Sequence, residues 1–348
     1  MSQQIKVGIT VGDVNGIGLE VIIKALSDNK VLANTIPVIY GSAKAVTFHK
    51  KHIEGSEFNF LTVKNAKEAK PKKINVINCW QEEVKIVLGE KNANGGKYAL
   101  KSLEAATADM KSGAIDVLVT APINKDCVRD AGFEFPGHTE YLAHAFESDE
   151  VLMLMVADQL RVGVVTGHMP LKKVVENITP ERIEKKLRLM IKSLKEDFLI
   201  PKPKVAVLGL NPHAGDRGTL GDEEMEIINP VITKLRDEGE LIYGSYSADG
   251  FFGSSNMKIF DGVMAMYHDQ GLTGFKAISF DEGVNFTAGL SKVRTSPDHG
   301  TAFDIAGKNK ASERSFRNAY FLACEAYRKR KVYAEMIANP LEKQSVKK

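Results

Sequence analysis

Short runs of β-branched and aliphatic residues recur along the chain. Each is followed by a loop rich in Gly, Pro, Asn, His or Asp and then by a helical pattern. In the first run, residues 6–11, the apolar residues Val7, Ile9 and Val11 alternate with their neighbours, as in a strand. Strands that alternate with helices pair in parallel through crossovers, so the pattern predicts an α/β protein. The other runs begin at Ile36, Asp116, Arg161, Lys204 and Gly262.

The helical segments between these runs carry clear boundary signals. In residues 179–198, Thr179 is a suitable N-cap, Pro180 suits the first helical position and Glu181 the first turn. In residues 97–113, apolar residues recur at helical spacing and Gly113 ends the pattern. An open sheet with helices on both faces is favoured, and a TIM barrel is the second architecture that this alternation permits.

The first strand leads into a glycine-rich turn, "ITVGDVNGIGLE", with glycines at Gly12, Gly16 and Gly18. Their spacing fits neither the dinucleotide fingerprint G-x-G-x-x-G nor a P-loop, which needs a Lys after its last glycine. Backbone N–H groups in such a turn can bind an anion. A tight corner between a strand and a helix that opens near Leu19 is the interpretation that the spacing favours.

Composition and charge narrow the class of protein. The 348 residues are 43% hydrophobic and 26% charged, which is typical of soluble globular proteins long enough for two domains. A net charge of +3 gives no support for a nucleic acid or a membrane as partner, and the basic run at residues 64–73 is interpreted as a solvated loop. No apolar stretch is long enough to span a bilayer. The three cysteines are far apart, which indicates neither disulfides nor structural zinc and fits a reducing cytoplasm.

Three of the eight histidines follow directly on a β-rich run: His168, His213 and His268. The carboxyl ends of parallel strands present their loops to one crevice, so these imidazoles are expected to lie close together. Neutral imidazoles suit zinc, cobalt or a similar divalent metal with an open coordination position for substrate. Asp249 and Asp269 are candidate carboxylates for the same site, although they fit turn or cap positions equally well.

Other loops carry groups that suit a phosphate or a carboxylate. Asn124 and Lys125 follow a strand, and His138 and Thr139 precede a helical pattern. Arginine grips such anions through two donors and lysine contributes a point charge. Each residue alone could be an ordinary surface residue, but together they predict a small anionic substrate. Three further members of the set lie among apolar or small neighbours: Lys276, Asn285 and Arg294.

Seven motifs, in this order, resemble the 4-hydroxythreonine-4-phosphate dehydrogenase (PdxA) family of vitamin B6 biosynthesis. They are "GDVNGIGLE", "VTAPINK", "GHTEYLA", "TGHMPL", "LNPHAG", "YHDQG" and "VRTSPDHGTAFDIAG", and they cover nearly the whole chain. The last is also similar to the adenosine-binding loop of isocitrate and isopropylmalate dehydrogenases. The resemblance implies two α/β/α domains with mostly parallel sheets and an active cleft between them. Residues 1–130 plus 300–348 would form the first domain and residues 131–299 the second.

The resemblance also implies roles for individual residues. The metal ligands would be His168, His213 and His268, with zinc expected and magnesium or cobalt as alternatives. The family is dimeric, so a homodimer would complete this site across its interface. NAD or NADP would rest on the late His-Gly-Thr loop, which leaves the Gly12 turn mainly structural. No catalytic acid or base is assigned. The substrate contacts would be His138, Thr139, Lys276, Asn285 and Arg294, and the cofactor contacts His299, Gly300, Thr301 and Asp304.

The implied reaction is oxidation and decarboxylation of 4-phosphooxy-L-threonine to 3-amino-2-oxopropyl phosphate. The chain departs from the family pattern at Val14 and Leu19, which replace prolines, and in residues 271–283. Three alternatives stay open. They are a sister dehydrogenase for threonate or erythronate 4-phosphate, a metal-dependent lyase or aldolase without a redox cofactor, and a non-catalytic metal or phosphate binding module.

Overall fold

Twelve strands form one continuous sheet in the part of the chain that the computed structural model describes, residues 4–55 and 57–339. Their order is β3-β4-β2-β1-β5-β12-β11-β6-β7-β10-β8-β9. The sheet is open, with β3 and β9 at its edges, so the TIM barrel is excluded and the α/β fold class is confirmed. The strands are β1 (Ile5–Thr10), β2 (Thr35–Gly41), β3 (Phe60–Val63), β4 (Ile74–Asn78), β5 (Val117–Thr120), β6 (Leu152–Ala157), β7 (Leu160–Thr166), β8 (Lys204–Leu208), β9 (Leu241–Tyr246), β10 (Gly262–Tyr267), β11 (Val284–Ala288) and β12 (Val293–Pro297).

Three antiparallel pairings, β12–β11, β11–β6 and β6–β7, form a seam in the middle of the sheet. The strands on either side of the seam pair in parallel. The six predicted strands are all present, as β1, β2, β5, β7, β8 and β10. The other three strands of the seam, β6, β11 and β12, were not predicted. The division into residues 1–130 plus 300–348 and residues 131–299 stays a prediction.

Ten α-helices accompany the strands in the described residues, and several begin or end close to where the sequence predicts. The first of them begins at Gly18, next to the predicted Leu19. Thr179 caps α6 by accepting the N–H of Arg182 at 3.3 Å, and Pro180 is the first helical residue. α3 ends shortly before Gly113, which has a left-handed φ of 73°. Nowhere in the described residues is a helix both long and apolar enough to cross a membrane. The helices are α1 (Gly18–Leu26), α2 (Ala43–Lys50), α3 (Ala93–Lys111), α4 (Lys125–Asp130), α5 (His138–Ala145), α6 (Pro180–Glu196), α7 (Asn229–Asp237), α8 (Ala248–Phe252), α9 (His268–Ser279) and α10 (Arg314–Ala338).

The helices cover both faces of the sheet, so the central strands are buried on both sides. In β5, neighbouring residues point to opposite faces: Val119 packs into the core that includes α1 and α10, and Leu118 into the core that includes α3. A third core lies under α9, where Phe275 is fully buried against β7 and β10. Because these strands are apolar on both faces, polar side chains that they do carry are conspicuous.

The glycine-rich turn after β1 is a packed corner. Gly12 has a φ of 65°, and a Cβ there would lie 2.3 Å from the carbonyl oxygen of Pro122. A Cβ at Gly16 would lie 2.8 Å from the carbonyl oxygen of Thr301, which accepts the N–H of Ile17 at 3.0 Å. Residues 11–19 are buried throughout. The turn therefore has no room for a nucleotide phosphate, and it supports the loop that follows β12.

A buried histidine holds this corner from the side of α2. His49 is 3% exposed, and its Nε2 lies 2.8 Å from the carbonyl oxygen of Val14, which makes Nε2 the donor. Burial lowers the pKa of His49 to about 4, against an unfolded value of 6.5. The folded protein therefore keeps this imidazole neutral, whereas the unfolded chain takes up a proton as the pH falls below about 6.5.

We expect His49 to make the protein less stable in mild acid. Stability is lost as the pH falls from about 6.5 towards 4, and at pH 5 the loss from this group is about 2 kcal/mol. Substitution of His49 by Gln keeps a donor for Val14 but does not titrate. Urea unfolding of His49→Gln at pH 5 and pH 7.5 should therefore lack this difference. His52→Gln, which changes an exposed histidine nearby, is the matched control, and equal pH dependence in the two variants would contradict the prediction.

Candidate active site

A polar cavity of about 330 Å³ opens beside the seam of the sheet. Its walls come from β5, β11 and β12, from the first turn of α5 and from the far end of α9. All five predicted substrate contacts line it, although they are spread over residues 138–294: His138, Thr139, Lys276, Asn285 and Arg294. The fold thus brings these side chains to one place, and their role in binding stays a prediction.

Arg294 lies at the inner wall of the cavity and is 3% exposed. Its Nε and Nη2 donate to Oγ1 of Thr120 at 3.1 and 2.6 Å, and its Nη1 donates to Oγ1 of Thr287 at 3.0 Å. Among the described residues, no carboxylate forms an ion pair with it. Burial lowers the pKa of Arg294 to about 10, which the more distant carboxylate of Glu140 opposes, so the guanidinium stays charged at neutral pH. A buried charge without a counter-ion is costly, and a bound anion would relieve that cost.

His138 lies at the start of α5, next to this charge. Burial, followed by the positive charge of Arg294, holds the pKa of His138 well below its usual value. The imidazole is therefore neutral at physiological pH. Its Nε2 is buried and finds no hydrogen-bond partner among the described residues, which is uncommon for a polar atom inside a protein.

On the opposite wall, Lys276 and Asp298 form an ion pair, with Nζ and Oδ1 3.2 Å apart. Burial raises the pKa of Asp298, while Lys276 works against that rise. Three more atoms of the cavity are buried without a hydrogen-bond partner in the part of the chain that the structure describes: Oδ2 of Asp298, Oδ1 of Asn285 and Nε2 of His299. Polar atoms left unsatisfied around one cavity are suited to a polar ligand that supplies the missing hydrogen bonds.

The predicted cofactor residues follow β12 and run outward from the cavity. His299 and Gly300 line it, and a Cβ at Gly300 would meet no other atom within 4 Å. Thr301 is buried, and its carbonyl oxygen binds the glycine-rich corner, whereas Asp304 is exposed. This open, braced loop fits an extended cofactor, and its assignment to NAD or NADP stays a prediction.

Two of the three predicted metal ligands lie together. His168 and His268 follow the neighbouring strands β7 and β10, and their ring centroids are 5.4 Å apart. Burial lowers the pKa of His168, helped by Lys125 and His268, which favours the neutral form that binds metals. Nδ1 of His268 lies 2.7 Å from Oδ1 of Asp269. That contact leaves Nε2 for a ligand, an arrangement common among metal-binding histidines.

His213 does not join this pair within one protomer. It lines a neighbouring hollow with Asp249, on a turn where residues 213–217 all have left-handed φ values. The buried carboxylate of Glu224 shapes the turn by accepting the N–H groups of Leu210 and Asn211 at 2.6 and 2.8 Å. Across residues 4–55 and 57–339, no group of three or more His, Cys, Asp or Glu side chains is placed to hold a metal ion. Completion of the site by His213 of a second subunit stays a prediction.

The sequence analysis did not name Thr120 and Asp298, which line the cavity. It also did not name Thr287, a fully buried residue that accepts an N–H of Arg294. A signal was present, because polar residues occur at positions 285 and 287 of β11 and at positions 294 and 296 of β12, although Thr295 between the latter two is polar as well. Alternation places such residues on one face of the sheet. Of the two candidates after β5, Lys125 lines the cavity, whereas Asn124 caps α4 by accepting the N–H of Cys127 at 3.1 Å.

Known proteins of one family are similar to this chain over most of its length. A family model described as "Pyridoxal phosphate biosynthetic protein PdxA" matches residues 33–323. The chain belongs to the PdxA family. The 4-hydroxythreonine-4-phosphate dehydrogenase of Bacteroides thetaiotaomicron is 47% identical over 346 residues, which are 99% of this chain and 95% of the relative. That of Sulfurihydrogenibium sp. is 42% identical over 328 residues, which are 94% of this chain and 100% of the relative.

Solved PdxA structures share the fold. The 4-hydroxythreonine-4-phosphate dehydrogenase of Klebsiella pneumoniae superposes with a TM-score of 0.81 at 35% identity, covering 94% of this chain and 98% of that one. A terephthalate 1,2-cis-dihydrodiol dehydrogenase of Burkholderia xenovorans has a TM-score of 0.61 at 24% identity, covering 92% and 98%, and shows the fold alone. The cavity around Arg294 thus belongs to a PdxA chain that is similar to its relatives over almost its whole length.

We expect inorganic phosphate to stabilise the protein through Arg294. At ten times its Kd, phosphate should raise the free energy of unfolding by about 1.4 kcal/mol, and thermal unfolding with and without phosphate measures the effect. Arg294→Met should abolish the shift without a large loss of stability, because no described carboxylate pairs with the deleted charge. Arg129→Met, which removes an exposed arginine of α4, is the control. An equal phosphate effect in both variants would show that Arg294 is not the anion contact.

Proposed function

We propose that this chain oxidises and decarboxylates 4-phosphooxy-L-threonine with NAD, giving 3-amino-2-oxopropyl phosphate, CO2 and NADH. The observation that carries the proposal is the buried charge of Arg294, which pairs with no described carboxylate, in a cavity that is also lined by His168. His268 lies next to His168. An anion is attracted to one end of such a cavity and a metal-bound group to the other. The names of the relatives in the PdxA family support the choice of substrate.

At the anion end, Arg294 and Lys276 supply positive charge to the phosphate. The guanidinium offers paired donors and the ammonium a point charge. Thr139 and the backbone N–H groups at the start of α5 add neutral donors, and Asn285 and His138 complete the wall. This set holds the phosphate firmly and leaves the carbon chain to extend towards the imidazoles.

α9 sets the distance between the two ends. His268 is its first residue and Lys276 lies eight positions later, about 12 Å along the helix axis. That separation suits a four-carbon phosphorylated hydroxy acid in an extended conformation. A helix keeps the two groups at a fixed distance, which favours one orientation of the substrate.

His168 and His268, with His213 from the second subunit of a homodimer, would hold the metal, and Asp269 orients His268. Zinc suits three imidazoles best, with magnesium or cobalt as alternatives. When bound, the metal would lower the pKa of the substrate's secondary hydroxyl and stabilise the negative charge that forms on loss of CO2. Within one protomer, the described residues already include the paired imidazoles of His168 and His268 and the cavity around Arg294.

The atoms balance without a further reactant. The carbon that bears the hydroxyl gives its hydride to the nicotinamide, and the hydroxyl gives up a proton. The carbon–carbon bond to the carboxylate then breaks, and one proton returns to the carbon that keeps the electron pair. His299, Gly300, Thr301 and Asp304 are proposed to hold NAD, with NADP as the alternative, and the three separated free cysteines fit a cytoplasmic enzyme.

The reaction is tested by the absorbance of NADH. We expect kcat/KM for 4-phosphooxy-L-threonine to exceed that for threonate 4-phosphate at least 10-fold, a difference of about 1.4 kcal/mol in transition-state binding. A preference for the sugar acid would favour the sister dehydrogenase. Cleavage of the phosphorylated substrate with no nicotinamide present would favour a lyase instead.

The shared metal site is tested by mixing two inactive variants. His168→Ala and His213→Ala should each lose turnover and bound metal. If one subunit supplies His168 and its partner supplies His213, a mixed dimer contains one site with both wild-type residues. After exchange of subunits, about a quarter of wild-type activity should return, since half the dimers are mixed and each has one intact site. No recovery, with mixed dimers verified by mass, would show that both histidines come from one subunit.

A further inference from the structure

The hydroxyls of Thr120 and Thr287 are arranged around Arg294 as a cradle without charge. We propose that these two threonines are positioning residues, which fix the guanidinium for a doubly bonded contact with the substrate's anionic group while leaving its positive charge uncompensated. The inference rests on the proposed function only in naming that group as the phosphate of the substrate.

The N–H groups of Arg294 form two sets, those that donate to the threonines and those that do not. A guanidinium has five N–H groups. Two of them, on Nε and Nη2, donate to Oγ1 of Thr120, and one on Nη1 donates to Oγ1 of Thr287. One N–H therefore remains on each terminal nitrogen, and together these two form the fork that binds two oxygens of a phosphate or carboxylate.

The three side chains come from three adjacent strands, β5, β12 and β11. Both threonines are fully buried, and a β-branched side chain in a strand has a restricted χ1 angle. The two hydroxyl oxygens are therefore held at fixed points on either side of the guanidinium. A flexible acceptor would not fix the plane of the fork in this way.

The absence of charge on the cradle is as important as its shape. Buried arginines are usually balanced by a carboxylate, which would also accept these hydrogen bonds. In the described residues the direct acceptors of Arg294 are neutral, and its pKa, although lowered to about 10, keeps it protonated. The full charge is thus available to the ligand. A carboxylate in the place of either threonine would preserve the geometry and remove that charge.

Thr120→Val removes the acceptor for two of the three N–H groups with little change of volume. We expect a rise of 10-fold or more in KM and in the Kd of inorganic phosphate, measured by calorimetry on the metal-loaded enzyme, and a smaller change in kcat. Thr120→Ser should restore both within about 3-fold, because it returns the acceptor oxygen. Thr295→Val is the matched control: it deletes a buried hydroxyl of β12 that donates to the carbonyl oxygen of Ala319 on the other face of the sheet. Its KM and phosphate affinity should stay at wild-type values.

Thr287→Asp separates shape from charge. It should keep an acceptor beside Arg294 and still lose phosphate binding at least 10-fold, since the carboxylate neutralises the guanidinium. Wild-type phosphate affinity in Thr287→Asp, or in Thr120→Val, would overturn the proposal. The phosphate measurement requires no turnover, so loss of phosphate binding in these variants together with no dehydrogenase activity of the wild-type protein would refute the proposed function and leave the cradle standing.

Discussion

A positive charge that has no counter-ion among the described residues lies at the seam of the sheet, and the polar groups of the cavity are arranged around it. Arg294 is buried among neutral acceptors on neighbouring strands, where its desolvation is offset only in part by hydrogen bonds. The seam makes this possible, because it sets β5, β12 and β11 side by side and points alternate polar residues of each to one face. A bound anion would relieve the cost of the buried charge.

The rest of the site is built outward from this point. The chain continues beyond β12 into Asp298 and His299, and two residues later the glycine-rich corner after β1 binds the carbonyl oxygen of Thr301. The first motif of the chain therefore braces the last one instead of binding a nucleotide itself. On the other side, α9 connects the anion end to the imidazole end through a single rigid element, from His268 to Lys276.

Strands and helices were predicted correctly where residues that cap or end them mark their boundaries. Thr179 and Pro180 start α6 as predicted because a cap and a first-turn proline act locally. β6 was missed because residues 151–157 form a continuous apolar run without alternation, and the loop of Asp158 and Gln159 that joins it to β7 contains no glycine, proline or asparagine. β11 and β12 were not predicted because their polar residues were interpreted only as ligand contacts. The residues between those polar positions are buried, as in a strand.

The sequence by itself determined the α/β class, the kinds of groups at the site and the family resemblance, because residue type, spacing and turn chemistry are local properties. It also named five of the side chains that line the cavity. Only the tertiary structure decided that His168 meets His268 but not His213 within one protomer, and that Thr120 and Thr287 hold Arg294. Those contacts depend on strand order and strand direction, and neither is encoded in any short stretch of the chain.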